Sequence, residues 1–544
     1  MAAGAEDQDP HSTLAGSVSK ILGLGGFPRM TDLDLLRLNR RVERLLDLPA
    51  GAPGATIGIA RDGKMLLHRS GGLASIELGV PIGPGTAFRI ASVSKQFTCA
   101  AILLLARDGK LAPTDSVRKH LPHLPPILGS ITLDHLMRNT SGLRDMLELN
   151  RLGGVDLGTP LTEAELDAAI ARQATLNFPP GSRYLYSNSG FRLLGQVVEQ
   201  LSGRSLAEFL EARIFRPFGM TRTCHTPQLA APVPGLATGY LADGAGGFTR
   251  APHGFPLGGE GGLVSCVEDL MLWSQAMERG ALGGIAAELE ALVPFPNGEP
   301  GRYARGLQVD VWRGLRSVSH GGLWPGYKTA YLRFPSKGLT IVAIANNAAL
   351  EPAVMANQAA AAALAEDPDL LPAPPEVDHS AMVGTWLCQE DGLSLDVGED
   401  GVARMHGVPY ALAPTADGRL AALRGSFPFL AAPPTNGVME VEFDAGSRRQ
   451  FRRVELAETP SLDGNWVCTE LGARWQIRRG KIHARGPVRT SASAWHAEAL
   501  APHNLRIHIP SALYPAWADA VLSADGKKLM VNAGRARGLI FERR

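Results

Sequence analysis

At 544 residues, with 45% apolar and 20% charged side chains, the chain has the composition of a globular protein of roughly three or four domains, which excludes wholesale disorder. Its formal net charge is +1 and no run of five or six like charges occurs, so nothing asks for nucleic acid or an anionic membrane as a partner. No apolar stretch approaches the roughly eighteen residues of a membrane span, and Cys99, Cys224, Cys266, Cys388 and Cys468 are spaced too widely for a disulfide framework or a close metal cluster.

Residues 1–30 begin acidic and lack the positive region and apolar stretch of a secretory signal, so they read as a tail, and the cytoplasm is the expected location. The charged stretch "LDLLRLNRRVERLLDL" predicts a helix. In "GATIGIARDGKMLLHRSGG" two apolar runs flank Asp62-Gly63 and predict a hairpin. The strand-like "TAFRIA" then leads into a helix whose apolar residues, Val93, Phe97, Ala100, Ala101, Leu104 and Leu105, fall on one stripe, with Gly109 placed to stop it. Helical and strand patterns mix as far as residue 362, where a second hairpin closes the section: "GYKTAYLRF", the turn "PSKG", then "LTIVAIANN". A section that opens and closes on hairpins predicts one antiparallel sheet collecting both ends, with the helical middle packed on it: an α+β domain over 31–362.

Prolines and acidic residues in "AEDPDLLPAPPEVDHS" mark a linker over 363–378. Beyond it, short alternating segments separated by Gly, Asp and Pro have the texture of small antiparallel barrels. Gly384-Thr-Trp-Leu-Cys388 returns eighty residues later as Gly464-Asn-Trp-Val-Cys468. Gly-x-Trp at the start of a strand suits a barrel plugged at one end by the large ring. The repeat predicts two related β-barrel domains, 379–457 and 458–544, against the alternative of one irregular β-domain with a chance echo.

The tetrapeptide Ser-Val-Ser-Lys occurs at Ser17–Lys20 and at Ser92–Lys95. Ser-x-x-Lys is a pairing that one class of serine hydrolases uses for acyl transfer. It needs a helix, so that backbone N–H groups face the reacting carbonyl and the lysine shares a face with the serine. Gly23, Gly25, Gly26 and Pro28 deny the first copy a lengthy helix; the second begins one. Alone, the motif is more often a capping serine followed by a surface lysine. Two later segments change that balance. "FPPGSRYLYSNSGFRLL" sets Tyr186-Ser187-Asn188 in a loop before a helix, and "LRSVSHGGLWPGY" sets His320-Gly321-Gly322 at a strand end, where glycines admit close backbone approach. His120 and His123 have a metal-like spacing without a third ligand, and "GGEGG" at 258–262 lacks the Gly-Lys-Ser/Thr of a phosphate loop and reads as a lining loop near the active site.

In "SVSK", "YSN" and "HGG", taken in this order, the chain resembles the serine penicillin-recognising hydrolases: class C β-lactamases, low-molecular-weight D,D-peptidases and their esterase relatives. "TLDHLMRNTSGLRD" and "GGEGGLVSCVEDLMLWSQAM" add to the likeness, which covers roughly residues 52–350. With its HGG third element and two trailing barrels, it most resembles the D-stereospecific aminopeptidase branch. The resemblance implies removal of N-terminal D-residues from short peptides, amides and esters through an acyl-enzyme, with no metal or other cofactor, in a homodimer, and with β-lactams as inhibitors. It casts Ser92 as nucleophile, Lys95 and Tyr186 as the proton-transfer pair, with Lys95 favouring a tyrosine phenolate or a shared proton, and Asn188 as the residue orienting Lys95 or the substrate amide. Gly322 and Leu323 would supply strand donors to the oxyanion. His320 stands in the place of the lysine of the commoner Lys-Thr-Gly element, which suits substrates recognised by an amine. In that branch a loop of the last barrel shapes the pocket. The corresponding stretch here is "HIPSALYPAWADAV", 508–521, with Tyr514, Trp517 and Asp519. An esterase, a β-lactamase or D,D-peptidase, and a slowly deacylating penicillin-binding receptor remain as alternatives.

Overall fold

Helix α1 (Asp32–Leu45) leads into β1 (Ala55–Arg61) and β2 (Lys64–Gly71), an antiparallel pair whose turn puts Asp62 and Gly63 at left-handed φ values of 51° and 73°. Aspartate and glycine tolerate that region, so the Asp-Gly pair makes the turn expected of it. The computed structural model describes residues 32–156, 158–422, 427–443, 446–455, 458–511 and 516–544; the tail and Ser17–Lys20 lie outside them. The closing hairpin also forms as expected. Strands β3 (Gln308–Trp312), β4 (Leu315–Trp324), β5 (Tyr327–Phe334) and β6 (Leu339–Ala345) meander, and β6 pairs with β1 from Ala55 opposite Ala345 to Arg61 opposite Leu339. The result is one six-stranded antiparallel sheet in the order β3-β4-β5-β6-β1-β2.

Every residue of β6 is buried, because helices cover both faces. Leu339, Ile341 and Ala343 point to one side, where they meet Leu38 and Val42 of α1 and Ala356 and Ala360 of the helix after the sheet, Pro352–Ala363. Val342 and Ile344 point to the other, where α2 (Lys95–Arg107) and the helix Val267–Glu278 bring Phe97 and Trp273 together at 4.4 Å between ring centroids. The expected single apolar stripe on α2 is wrong in one respect. All residues from Lys95 to Leu105 are buried, so α2 is a central helix wrapped on every side. It ends where expected, with Gly109 at φ 70°.

Beyond the linker, residues 384–453 form a nine-stranded antiparallel sheet whose end strands, Val408–Ala411 and Ala413–Pro414, are neighbours in the chain, so it is nearly closed. Residues 464–543 form a closed eight-stranded barrel. The repeated Gly-x-Trp builds the same local structure twice. Trp386 donates to the Met382 carbonyl and Trp466 to the Leu462 carbonyl, each at 2.7 Å, and the guanidiniums of Arg453 and Arg543 lie over the rings at 5.1 and 5.7 Å. The closed barrel docks on the catalytic domain. Trp475 donates to the Leu152 carbonyl at 2.9 Å, and a Cβ on Gly486 would lie 2.5 Å from the Gly153 carbonyl oxygen, so only glycine permits that approach.

Candidate active site

Ser92 lies in the tight turn Ala91–Ser94 that opens α2. Ala91, just before it, has φ 48°, a left-handed conformation that strains a residue with a Cβ and recurs at functional turns. Strand β4 passes against this turn: a Cβ on Gly322 would sit 2.2 Å from the Ile90 carbonyl oxygen, so the second glycine of "HGG" is obligatory. Pairing of β4 with β3 stops at Ser319, so from His320 onward that edge has no partner strand among the described residues. The backbone of Gly322 and Leu323 therefore runs along an open edge beside Ser92, with the Leu323 side chain 60% exposed.

The side chains expected at the site meet. The Lys95 ammonium is buried and donates to Ser92 Oγ at 3.0 Å, to Asn188 Oδ1 at 2.9 Å and to the Glu260 carbonyl at 2.5 Å. Tyr186 donates its hydroxyl proton to Ser92 Oγ at 2.7 Å, with Lys95 Nζ 4.8 Å from the Tyr186 ring centroid. The loop carrying Tyr186 is fixed at two points. The Ser187 amide donates to Asn139 Oδ1 at 2.9 Å, and the amide of Asn188, where helix α4 (Asn188–Ser202) begins, donates to Asp145 Oδ2 at 2.7 Å. Asp145 caps α3 (Met146–Leu152) through the Leu147 amide, so one carboxylate ties two helix starts together.

Burial decides the protonation states. It lowers the Lys95 amine to about 7, with the Glu260 and Asp145 carboxylates pulling the other way. The Tyr186 phenol is driven upward by the same desolvation, only partly offset by its hydrogen bond to Ser92. Of the two expected forms, a phenolate or a shared proton, burial disfavours the first: Tyr186 donates to Ser92 Oγ, and the Lys95 amine is the group brought near neutrality. His320 lies beside them, its ring centroid 6.2 Å from that of Tyr186. Burial and the nearby Lys95 lower it to about 3, so it is neutral. Its Nδ1 faces the Gly321 carbonyl at 2.6 Å and its Nε2 faces the Tyr303 hydroxyl at 2.9 Å, which Tyr303 donates if Nδ1 carries the proton. His320 thus brings shape and polarity to the site without charge.

Two residues of the stretch 508–521 face away from the site. Trp517 donates to Ser394 Oγ at 3.1 Å, and the Asp519 carboxylate accepts from the Ser394 amide at 2.9 Å and hydroxyl at 2.6 Å. Both face the nine-stranded sheet; Tyr514 lies outside the described residues. Among the described residues, the part of the last barrel that reaches the site is the turn between strands Lys528–Ala533 and Ala536–Arg543. There Arg535 sits 3.3 Å from Asp145 Oδ2 and 3.1 Å from Glu148 Oε1, with its guanidinium 6.0 Å from the Tyr186 ring centroid. Its carbonyl accepts from Asn177 Nδ2 at 3.1 Å. Sequence reasoning missed Arg535 and gave Asp145 and Glu260 no role of their own, although "GGEGG" lines the site as expected. "NAGRARG" reads as a hairpin turn, and nothing local reveals its destination. Among the described residues no group of three or more His, Cys, Asp or Glu side chains is placed to hold a metal ion, and no helix is long and apolar enough to cross a membrane.

Comparison with known proteins agrees with this geometry. The Beta-lactamase family matches residues 16–365. A D-aminopeptidase of Gluconobacter oxydans is 31% identical over 432 residues, 77% of this chain and 80% of that protein. An octameric penicillin-binding protein homologue from Pyrococcus abyssi superposes with a TM-score of 0.53 at 19% identity, over 94% of this chain and 100% of the other. The D-amino acid amidase of Ochrobactrum anthropi SV3, complexed with L-phenylalanine amide, gives 0.52 at 22% identity, over 60% of this chain and 99% of the other.

Proposed function

This chain belongs to the Beta-lactamase family and, within it, to the D-aminopeptidases, and we propose that it releases N-terminal D-residues from short peptides, amides and esters through an acyl-enzyme on Ser92. The observation that carries the reading is the convergence on Ser92 Oγ of Lys95 Nζ at 3.0 Å and Tyr186 OH at 2.7 Å. Neutral Lys95 takes the Ser92 proton as Oγ bonds to the scissile carbonyl carbon, and the carbonyl π pair moves to oxygen. The Ser92 amide and the Gly322–Leu323 edge meet that oxyanion; one such donor is worth about a hundredfold or more in rate. Collapse expels the amine, which takes a proton from Lys95 by way of Tyr186, and Asn188 holds Lys95 in line throughout. Water then repeats the cycle on the ester.

The neutral His320 supports a substrate lacking a free C-terminal carboxylate, since it offers that group no cation. β-Lactams, which acylate the same serine chemistry, are the expected inhibitors, and the protein is expected to work as a homodimer. The test is release of p-nitroaniline from D-alanine and L-alanine p-nitroanilides in parallel, with Ser92→Ala as control. Turnover of the D form alone, lost in the variant, supports the reading. Turnover of short esters or nitrocefin with neither anilide would make the protein an esterase or β-lactamase, and a burst without a steady state would make it an acylated receptor.

A further inference from the structure

Beside Lys95 lies the loop Gly258–Leu263, and it is tied to the first turns of α2 at three points. The Glu260 carbonyl accepts from Lys95 Nζ, the Gly259 carbonyl accepts from Thr98 Oγ1 at 2.7 Å, and Ser94 Oγ accepts from the Leu263 amide at 3.2 Å. The Glu260 side chain is 1% exposed, yet neither carboxylate oxygen has a hydrogen-bond partner. Arg192 Nη1 stands 3.9 Å away, and that guanidinium is shared with Asp167 and Glu163. A buried carboxylate without hydrogen bonds costs stability. A glutamine or alanine would relieve that cost, so its presence beside the one buried amine of the site calls for a role.

We propose that Glu260 is a positioning residue for the acyl transfer described above, its carboxylate meeting the positive charge that Lys95 acquires when it takes the proton of Ser92. The inference rests on that reaction. Lys95 stays the base: the Ser92 O–H bond breaks, an N–H bond forms on Lys95, and the Glu260 carboxylate, which already faces Arg192 Nη1 at 3.9 Å, gains a second cation nearby. The backbone carbonyl of the same residue aims the amine, so one residue both directs Lys95 and sets its charge. The other groups bearing on the amine are Asp145, which reinforces Glu260, and Arg535, which opposes it; Cys99, Tyr186 and His320 are neutral near pH 7. On balance burial raises the Glu260 carboxyl above the usual carboxylate range, with Arg192 the foremost group opposing the rise and Lys95 the least.

The experiment is the pH dependence of the p-nitrophenolate burst from p-nitrophenyl acetate with the full chain. It reports Ser92 acylation whether or not D-residues are the substrate, so failure of the D-aminopeptidase reading, seen with the anilides, leaves it readable. Removing a nearby negative charge lowers the pKa of an amine. Glu260→Gln should therefore move the acid limb of the burst rate to lower pH by about one unit and lower the plateau about tenfold. Glu260→Asp should keep the limb in place. A lowered plateau with an unmoved limb in Glu260→Gln, or a limb moved equally by Glu260→Asp, overturns the proposal, as does a burst that survives Ser92→Ala. Should Glu260→Gln not fold, Asp167→Asn at the half-exposed end of the same charge chain decides: a limb lowered by a few tenths of a unit at low salt supports the proposal, and an unmoved one overturns it.

Discussion

Two strand pairs of the last barrel make different contacts. Asn504–Ile509 with Ala516–Leu522 presses Trp517 and Asp519 onto Ser394 of the neighbouring sheet, whereas Lys528–Arg543 carries Arg535 to Asp145 and Glu148, one hydrogen bond from Asn188. Both bury an ionic side chain. In the first, burial raises the Asp519 carboxyl to about 7, and its partners are hydroxyl, amide and a guanidinium. In the second, a cation enters a pocket already holding two carboxylates. The difference separates cohesion from chemistry: the first hairpin joins two β-units, and the second braces the helix start that positions Lys95 through Asn188.

Changes at the reacting centre set the scale against which the hairpins are judged. Lys95→Ala should lower kcat/KM for D-alanine p-nitroanilide by about a thousandfold or more, with circular dichroism unchanged. Because the free amine is the base and burial lowers it to about 7, kcat/KM in the wild type should fall about tenfold per pH unit below 7 and level off above it. Arg535→Ala leaves Asp145 and Glu148 short of a cation. It should cost about 3 kcal/mol of stability and lower kcat about tenfold with little change in KM. Unchanged kinetics in that variant would erase the distinction between the hairpins. Asp519→Ala strands the Ser394 amide and hydroxyl; it should cost about 2 kcal/mol in urea unfolding while kcat stays within about twofold. Trp517→Phe removes one hydrogen bond and keeps the ring, so a loss of about 1 kcal/mol and unaltered kinetics are expected.

The sheet was legible from its turns. Asp62-Gly63 and "PSKG" fix hairpins locally, and strand alternation does the rest. The stripe on α2 misled because a helix buried on all sides has no polar face to define one. Ser92, Lys95, Tyr186 and Asn188 were legible because three short motifs in a fixed order stand out in one dimension. Glu260 and Arg535 were not: the first lies 165 residues from Lys95, and the second reaches Asp145 from another domain, so only tertiary structure joins them. The choice between a phenolate and a shared proton was hidden for a related reason. Charge proximity can be guessed from motifs, but the desolvation that raises Tyr186 and lowers Lys95 depends on what packs around them.

The central claim, that Ser92 carries the acyl group, is tested most directly by quenching the enzyme during turnover, digesting it with trypsin and locating the added mass. The account predicts the modification on Ser92 within the fragment Ile90–Lys95. An acyl group on the fragment ending at Lys20, on Ser94, or on no serine at all would contradict it.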